Sequence, residues 1–192
     1  MLQERLPGLA APRREIHNLF FALWPDEAVR VRIAAVAEAL RREPAPQGRW
    51  IKPHRYHLTL AFLGEHAVLP VALLERASAA AGDVRASSFD LVLDVAGSFG
   101  KARIPCWLAC STEPPPLRAL FEGLSRALQA RGCKVHGGDR FEPHVSVLCD
   151  ADGPLTAAPE IPVSWRVDEF VLIHSRTVPP APYRVLGRWP LR

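Results

Sequence analysis

Two short stretches of the chain repeat one order of residue types, and both contain groups that can move protons. "HLTLAFLG" begins at His57, and "HVSVLCD" begins at His144. In each stretch an apolar residue follows the histidine, then a hydroxyl residue (Thr59 or Ser146), then a second apolar residue. An imidazole has a reference pKa of roughly 6.5, so it can accept or donate a proton near neutral pH.

Both stretches have the pattern of a β-strand that is buried on one side. Alternate residues of a strand share a face, so His57 and Thr59 point one way, as do His144 and Ser146. If the two strands lie side by side or across a groove, that groove holds two imidazoles and two hydroxyls. A neutral histidine can activate water, a protonated one can protonate a leaving oxygen, and the hydroxyls can bind phosphate oxygens. The set predicts phosphodiester chemistry that needs no metal and no other cofactor.

One histidine two positions before a hydroxyl residue is common in strands and indicates little by itself. The repetition, with a proline-containing loop before each copy, favours a catalytic pair. The other histidines are interpreted as loop, surface or packing residues; they are His17, His54, His66, His136 and His174.

The elements that must position the motifs occur in a similar order in each half of the chain. A helix predicted over 25–43 leads through a loop to the first motif, and a helix predicted over 114–132 leads through another loop to the second. Proline at the start of each helix supports these two assignments. A further helix is predicted over 68–82, and strands over 16–24, 89–100, 104–110, 164–175 and 183–191. This order suggests a duplicated α+β unit.

Composition limits the class of protein. Of 192 residues, 48% are hydrophobic and 23% are charged, which is typical of globular domains. No run approaches the ~20 apolar residues of a membrane span, and the N-terminus lacks the apolar segment of a signal peptide. The four cysteines lack zinc-site spacing and are predicted to be free thiols. We expect a cytoplasmic monomer with a flexible tail over residues 1–15 and one bilobal domain over 16–192. The net charge of +4 is compatible with a polyanionic partner.

The chain resembles the two-histidine (2H) phosphoesterase superfamily and, within it, the bacterial RNA 2′,3′-cyclic phosphodiesterases, also called 2′-5′ RNA ligases. The similarity extends over about residues 17–191. Besides the two motifs, it rests on the following stretches: "LFFALWPD", "RW" at Arg49–Trp50, the strand around Trp107, "VDEFVLIHS" and "YRVLGRWPL".

This resemblance implies a fold and a reaction. The expected fold is α+β and bilobal, with two antiparallel sheets and flanking helices related by a pseudo-two-fold axis around a central cleft. The expected reaction is hydrolysis of RNA 2′,3′-cyclic phosphate ends to 2′-phosphomonoesters, with 2′-5′ ligation as its reverse. By similarity His57 is the general acid, His144 is the general base, and Thr59 and Ser146 hold the phosphate.

Three residues depart from the family pattern. Ser146 replaces threonine and keeps the hydroxyl. Cys149 and Glu142 stand where basic residues are expected, and we expect a substrate-binding cation from one of three nearby residues, namely Arg140, Lys52 or Arg55. Two alternatives remain open: an RNA-end-binding protein with little turnover, and a phosphodiesterase of a small cyclic-phosphate nucleotide.

Overall fold

A computed structural model describes residues 15–42, 45–100, 104–137, 140–156, 158–177 and 181–192. The predicted flexible tail lies outside these residues, apart from Glu15, whose carboxylate forms a salt bridge of 2.9 Å with Arg176. The single domain over 16–192 stays a prediction. None of the helices in the described ranges is long and apolar enough to cross a lipid bilayer.

The described residues form three helices and ten strands. The helices are α1 (Glu27–Arg42), α2 (Val71–Asp83) and α3 (Pro115–Ala130). The strands are β1 (His17–Leu23), β2 (Arg49–Trp50), β3 (Leu58–His66), β4 (Phe89–Leu93), β5 (Val95–Ser98), β6 (Ile104–Ala109), β7 (Val145–Ala151), β8 (Val163–Val167), β9 (Glu169–Arg176) and β10 (Arg184–Pro190). A single 3-10 turn, Pro53–Arg55, precedes β3.

The helices begin where local chemistry favours a start. The Asp26 carboxylate accepts a hydrogen bond from the Val29 backbone N–H at 2.7 Å, and this caps the first turn of α1. Prolines at the start of α3 fix backbone angles that suit a helix. The buried residues of α3 are spaced three or four apart and form one apolar stripe; they are Leu117, Leu120, Leu124 and Leu128.

Two antiparallel sheets contain the strands. The larger has the order β10-β9-β1-β3-β7-β6-β5, with β2 paired to β7, and the smaller consists of β4 and β8. The predicted α+β class with two antiparallel sheets is therefore confirmed. The two motif strands, β3 and β7, are central neighbours in one sheet and are joined through one residue pair, Leu58 and Val145.

The large sheet has two different faces. One face packs against the helices and contributes Leu19, Phe21 and Leu23 to the main hydrophobic core. The other face carries a smaller apolar cluster built on Phe20 and Ala22 of β1 and two residues of β9. We call this second side the open face.

Two stretches that were each predicted as one strand are divided between the sheets. Residues 89–100 form β4 and β5, with a break at Asp94 whose carboxylate accepts hydrogen bonds from the N–H and hydroxyl of Ser111 at 2.7 and 2.6 Å. Residues 164–175 similarly belong to β8 and β9, on either side of Asp168. These aspartates end a strand without a glycine or proline, so sequence patterns did not mark the breaks.

Candidate active site

The strand register brings the two motifs together on the open face. Leu58 pairs with Val145, and both side chains are buried in the core. One step to either side, the antiparallel register sets His57 opposite Ser146 and Thr59 opposite His144. Because alternate residues share a face, these four side chains lie together on the side away from Leu58 and Val145.

Pairing with the neighbouring strands supports this placement. Thr59 pairs with Ala22, which belongs to the apolar cluster of the open face. Ser146 pairs with Trp107 of β6, on the other side of β7. Both hydroxyl residues are only partly buried, so their oxygens can contact a ligand on this face.

Each histidine is oriented by the backbone two residues before it. The Nδ1–H of His57 donates to the Arg55 carbonyl at 2.7 Å, and the Nδ1–H of His144 donates to the Glu142 carbonyl at 2.7 Å. A carbonyl can only accept, so each neutral ring carries its proton on Nδ1 and keeps a lone pair on Nε2. Both imidazoles therefore have one ring nitrogen available for proton transfer.

Aromatic rings surround His57. Phe20 lies with its ring centroid 5.0 Å from the imidazole, and Tyr183 meets the same imidazole edge-on at 5.5 Å. The ring centroid of Trp24 lies 6.5 Å from that of the imidazole. These rings exclude water from much of the imidazole, although part of the residue stays accessible.

The apolar surroundings determine the charge of His57. Burial lowers its pKa to about 4. The positive charges of His144 and Arg55 act in the same direction, while the hydrogen bond to the Arg55 carbonyl opposes them. His57 is therefore neutral at neutral pH.

His144 has a related but more open environment. Phe99 meets its imidazole edge-on at 5.0 Å, and Trp107 lies at 6.4 Å. A cleft of about 750 Å³ begins at Thr59 and His144 and continues along the last turns of α3. A more apolar cavity of about 300 Å³ lies between α1 and residues 158–163, contains neither histidine, and is unrelated to this chemistry.

The three predicted cations are placed differently. Arg140 is exposed and paired with the Glu142 carboxylate at 2.7 Å, so its charge is neutralised at the rim of the cleft. Lys52 is exposed just before the 3-10 turn. Arg55 is partly buried, and its guanidinium lies 4.5 Å from the centroid of the Tyr183 ring. Of the three, Arg55 is the one that contacts a neighbour of His57, because both residues contact the Tyr183 ring.

The remaining histidines lie elsewhere. His17 stacks on His174 at the end of β1 remote from Trp24, with 2.8 Å between Nδ1 and Nε2. His66 pairs with His17 across β1 and β3, and the His136 backbone N–H bonds to the Phe62 carbonyl. His54 is exposed in the 3-10 turn. Among the described residues, no group of three or more histidine, cysteine or acidic side chains is arranged to hold a metal ion.

Sequence reasoning missed the aromatic residues around both histidines. Trp24 and Tyr183 are far apart in the chain, yet both approach His57. A signal existed for Trp24 and Phe20, because alternation along 16–24 places them on one face. No local signal indicated Tyr183 or Phe99, whose contacts depend on the tertiary fold.

Comparison with known proteins identifies the family to which this fold and its two histidine motifs belong. The sequence model of the 2′-5′ RNA ligase superfamily matches residues 25–179. The chain is 33% identical over 183 residues to the RNA 2′,3′-cyclic phosphodiesterase of Escherichia coli (strain K12), covering 92% of this chain and 98% of that protein. It is 32% identical over 192 residues to the protein of the same name from Thermus thermophilus, covering 91% and 90%.

Solved structures agree with the sequence comparison. Escherichia coli LigT complexed with 3′-AMP superposes with a TM-score of 0.76 at 31% identity, over 92% of this chain and 98% of that one. LigT complexed with phosphate gives a TM-score of 0.73 at 31% identity, with the same coverage. The chain belongs to the 2′-5′ RNA ligase superfamily.

Proposed function

We propose that this protein hydrolyses RNA 2′,3′-cyclic phosphate ends to 2′-phosphomonoesters through acid–base catalysis by His57 and His144. The observation that carries the proposal is the convergence of two imidazoles, each with Nε2 available, and two hydroxyls on one open face. The names of the relatives at 32–33% identity support the same reaction.

In the proposed step, water attacks the phosphorus atom while the bond from phosphorus to the ribose 3′ oxygen breaks. His144 removes a proton from the water through Nε2, and His57 donates a proton to the leaving 3′ oxygen. Thr59 and Ser146 donate hydrogen bonds to the non-bridging oxygens, where negative charge accumulates in the transition state. These residues suffice for the proton transfers, so the proposed mechanism needs no metal.

The low pKa of His57 places a condition on its role as the acid. Without a negative charge beside it, His57 is neutral at neutral pH. It can donate a proton only if the bound phosphate, a nearby negative charge, raises its pKa. The acid and base assignment therefore requires that substrate binding and protonation of His57 occur together.

The same site can carry out ligation. If a 5′ hydroxyl of RNA replaces water, the identical attack on phosphorus forms a 2′-5′ phosphodiester. Hydrolysis has the advantage that water is always present, so we expect ligation to be the minor reaction.

The alternative of an RNA-end-binding protein with little turnover rested on Glu142 and Cys149. The Glu142 carboxylate is paired with Arg140, and its backbone carbonyl orients His144. Glu142 is thus compatible with catalysis, and its charge is not an unpaired anion facing the phosphate.

The deciding experiment incubates the purified protein, with EDTA present, with 2′,3′-cyclic mononucleotides and with an oligonucleotide ending in a 2′,3′-cyclic phosphate. We expect 2′-phosphate products, identified by phosphorus NMR or chromatography. Binding without product supports the binding protein instead, and turnover of mononucleotides alone supports a small-nucleotide phosphodiesterase. Activity that vanishes in EDTA and returns with a divalent cation refutes the metal-free mechanism.

A further inference from the structure

We propose that Arg55 is the cation that binds the substrate phosphate in this chain. This inference rests on the proposed function, because it concerns the anion at the same site. It assigns the binding of the phosphate charge to a residue two positions before His57.

The position of Arg55 is fixed at both ends of the residue. Its backbone carbonyl accepts the Nδ1–H of His57 at 2.7 Å. Its Nη2 donates to the Tyr183 hydroxyl at 3.1 Å, and the guanidinium lies over the Tyr183 ring. The Tyr183 ring in turn contacts His57 edge-on. A cation held over a ring that touches the imidazole is thus preorganised next to the reacting groups.

Arg55 also lacks an acidic partner. None of the salt bridges in the described part of the chain involves it. Within the described ranges its side chain makes one hydrogen bond, to the Tyr183 hydroxyl, which uses a single donor of the five that a guanidinium offers. A partly buried arginine with donors to spare and no carboxylate is a suitable partner for a phosphate, whose oxygens it can bind in a forked manner.

The charge of Arg55 reaches both motif strands. It acts on His57 of the first motif and on the Cys149 thiol of β7. Val147 and Leu148 are both fully buried, because the pairing of β6 with β7 shifts register at this point. The alternation of faces is offset by one residue there, so the Cys149 side chain lies on the same face as Ser146. Tyr183, over which the Arg55 guanidinium lies, packs against the apolar cluster of the open face. Arg55 is therefore held on the side of the sheet that carries Thr59 and Ser146, where a phosphate in contact with both hydroxyls would sit.

The position of Arg55 explains why His57 can act as an acid only after phosphate has bound and raised its pKa. Burial among the rings of Phe20, Trp24 and Tyr183 disfavours a proton on His57, and the charges of His144 and Arg55 act in the same direction. A bound phosphate neutralises Arg55 and adds negative charge beside the imidazole, so the proton on His57 becomes favourable.

The first test measures binding of inorganic phosphate by calorimetry and needs no turnover. We expect Arg55→Gln to weaken phosphate binding on the order of 10- to 100-fold, because charge-assisted hydrogen bonds are lost. The matched control is Arg49→Gln, since Arg49 lies opposite Cys149 but is already paired with Asp150 at 3.3 Å. Arg49→Gln should change binding less than about threefold, in line with a weak exposed ion pair. Unchanged binding in Arg55→Gln, or an equal loss in both variants, overturns the proposal.

The second test separates lost charge from disturbed packing. Adding Cys149→Arg to Arg55→Gln places a new cation on the same open face and should restore much of the phosphate affinity. Tyr183→Phe keeps the ring beneath Arg55 and should retain most of the binding. If the double variant stays as weak as Arg55→Gln, Arg55 acts through structure and the proposal is wrong. If phosphate binds as expected but no cyclic phosphate is hydrolysed, the proposed function fails while this assignment stands.

Discussion

A backbone carbonyl fixes the imidazole of each motif in one tautomer, and the two histidines differ mainly in what surrounds them. Phe20, Trp24 and Tyr183 desolvate His57, whereas His144 faces the wider cleft. Desolvation disfavours the charged imidazole and lowers the pKa of His57 to about 4, so His57 is neutral at neutral pH. This asymmetry leads to two predictions about individual residues.

The first concerns pH. Acid–base catalysis by the pair requires one proton shared between His57 and His144. Below about pH 4, His57 takes up a proton, and the pair then lacks the neutral imidazole that must serve as the base. At higher pH the last proton leaves the pair and no acid remains. We expect a bell-shaped profile of kcat/KM with its acid limb near 4, measured on a cyclic mononucleotide. An acid limb near the ordinary histidine value, with no change near 4, would contradict the proposed desolvation of His57.

The second prediction assigns the roles, which the pH profile leaves open because both assignments contain one proton on the pair. A substrate with a good leaving group needs little help from an acid. Such a substrate should therefore rescue the variant that lacks the acid and leave the variant that lacks the base impaired. We expect rescue of His57→Ala and none of His144→Ala, measured as the ratio of kcat/KM for activated and natural substrates. Rescue of His144→Ala instead would make His144 the acid and His57 the base.

At the scale of elements, close packing between β5 and β6 positions the aromatic neighbour of His144. Gly97 pairs with Trp107, and a Cβ atom added at Gly97 would lie 2.5 Å from the indole ring. The same indole contacts Phe99 and lies near His144. The absence of a side chain at Gly97 thus allows the ring to lie flat against the strand.

Gly97→Ala should therefore displace Trp107 and disturb the site. We expect a loss of about 1–3 kcal/mol of stability from overpacking. We also expect kcat/KM to fall roughly 10- to 100-fold, since small displacements of reacting groups are costly. Gly82→Ala is the control, because α2 leaves open space at Gly82 and alanine should stabilise the helix by about 0.5–1 kcal/mol. Unchanged activity in a destabilised Gly97→Ala protein would show that Trp107 serves stability alone.

These elements also show what the sequence could predict. Alternation along a strand correctly placed the motif residues on one face, because side-chain period is a local property. It could not indicate that Asp94 breaks 89–100 into strands of two sheets, since that break depends on Ser111. It named Arg55 as one of three candidate cations but could not rank them, because the contact with Tyr183 joins residues 128 positions apart.

For the whole molecule, the important feature is how the two halves meet. Each half supplies one histidine and one hydroxyl, and the motif strands are joined through the pair of Leu58 and Val145. Those two side chains are 1% and 0% exposed, so the core fixes the separation of the motifs. Neither half contains both members of the proposed acid–base pair, so the proposed catalysis depends on the joined sheet.

If the residues of the two halves act in one transition state, the losses of kcat/KM from single substitutions should not multiply in a double variant. His57→Ala and His144→Ala should each lower kcat/KM on the order of 10²–10⁴-fold, the usual range for general acid–base catalysis. Thr59→Val and Ser146→Ala should each cost at most on the order of 10²–10³-fold, because each removes one donor to the phosphate.

The decisive variant is the double change His57→Ala/His144→Ala. Once one histidine is gone, concerted proton transfer is already lost, so removing the second should cost little more. We expect the double variant to fall far short of the product of the single losses, with each variant confirmed as folded by its thermal unfolding. The measurement is a full cycle of kcat/KM values for the parent, both single variants and the double variant. Losses that multiply would mean that the histidines act independently, and full activity in either single variant would remove that residue from the mechanism.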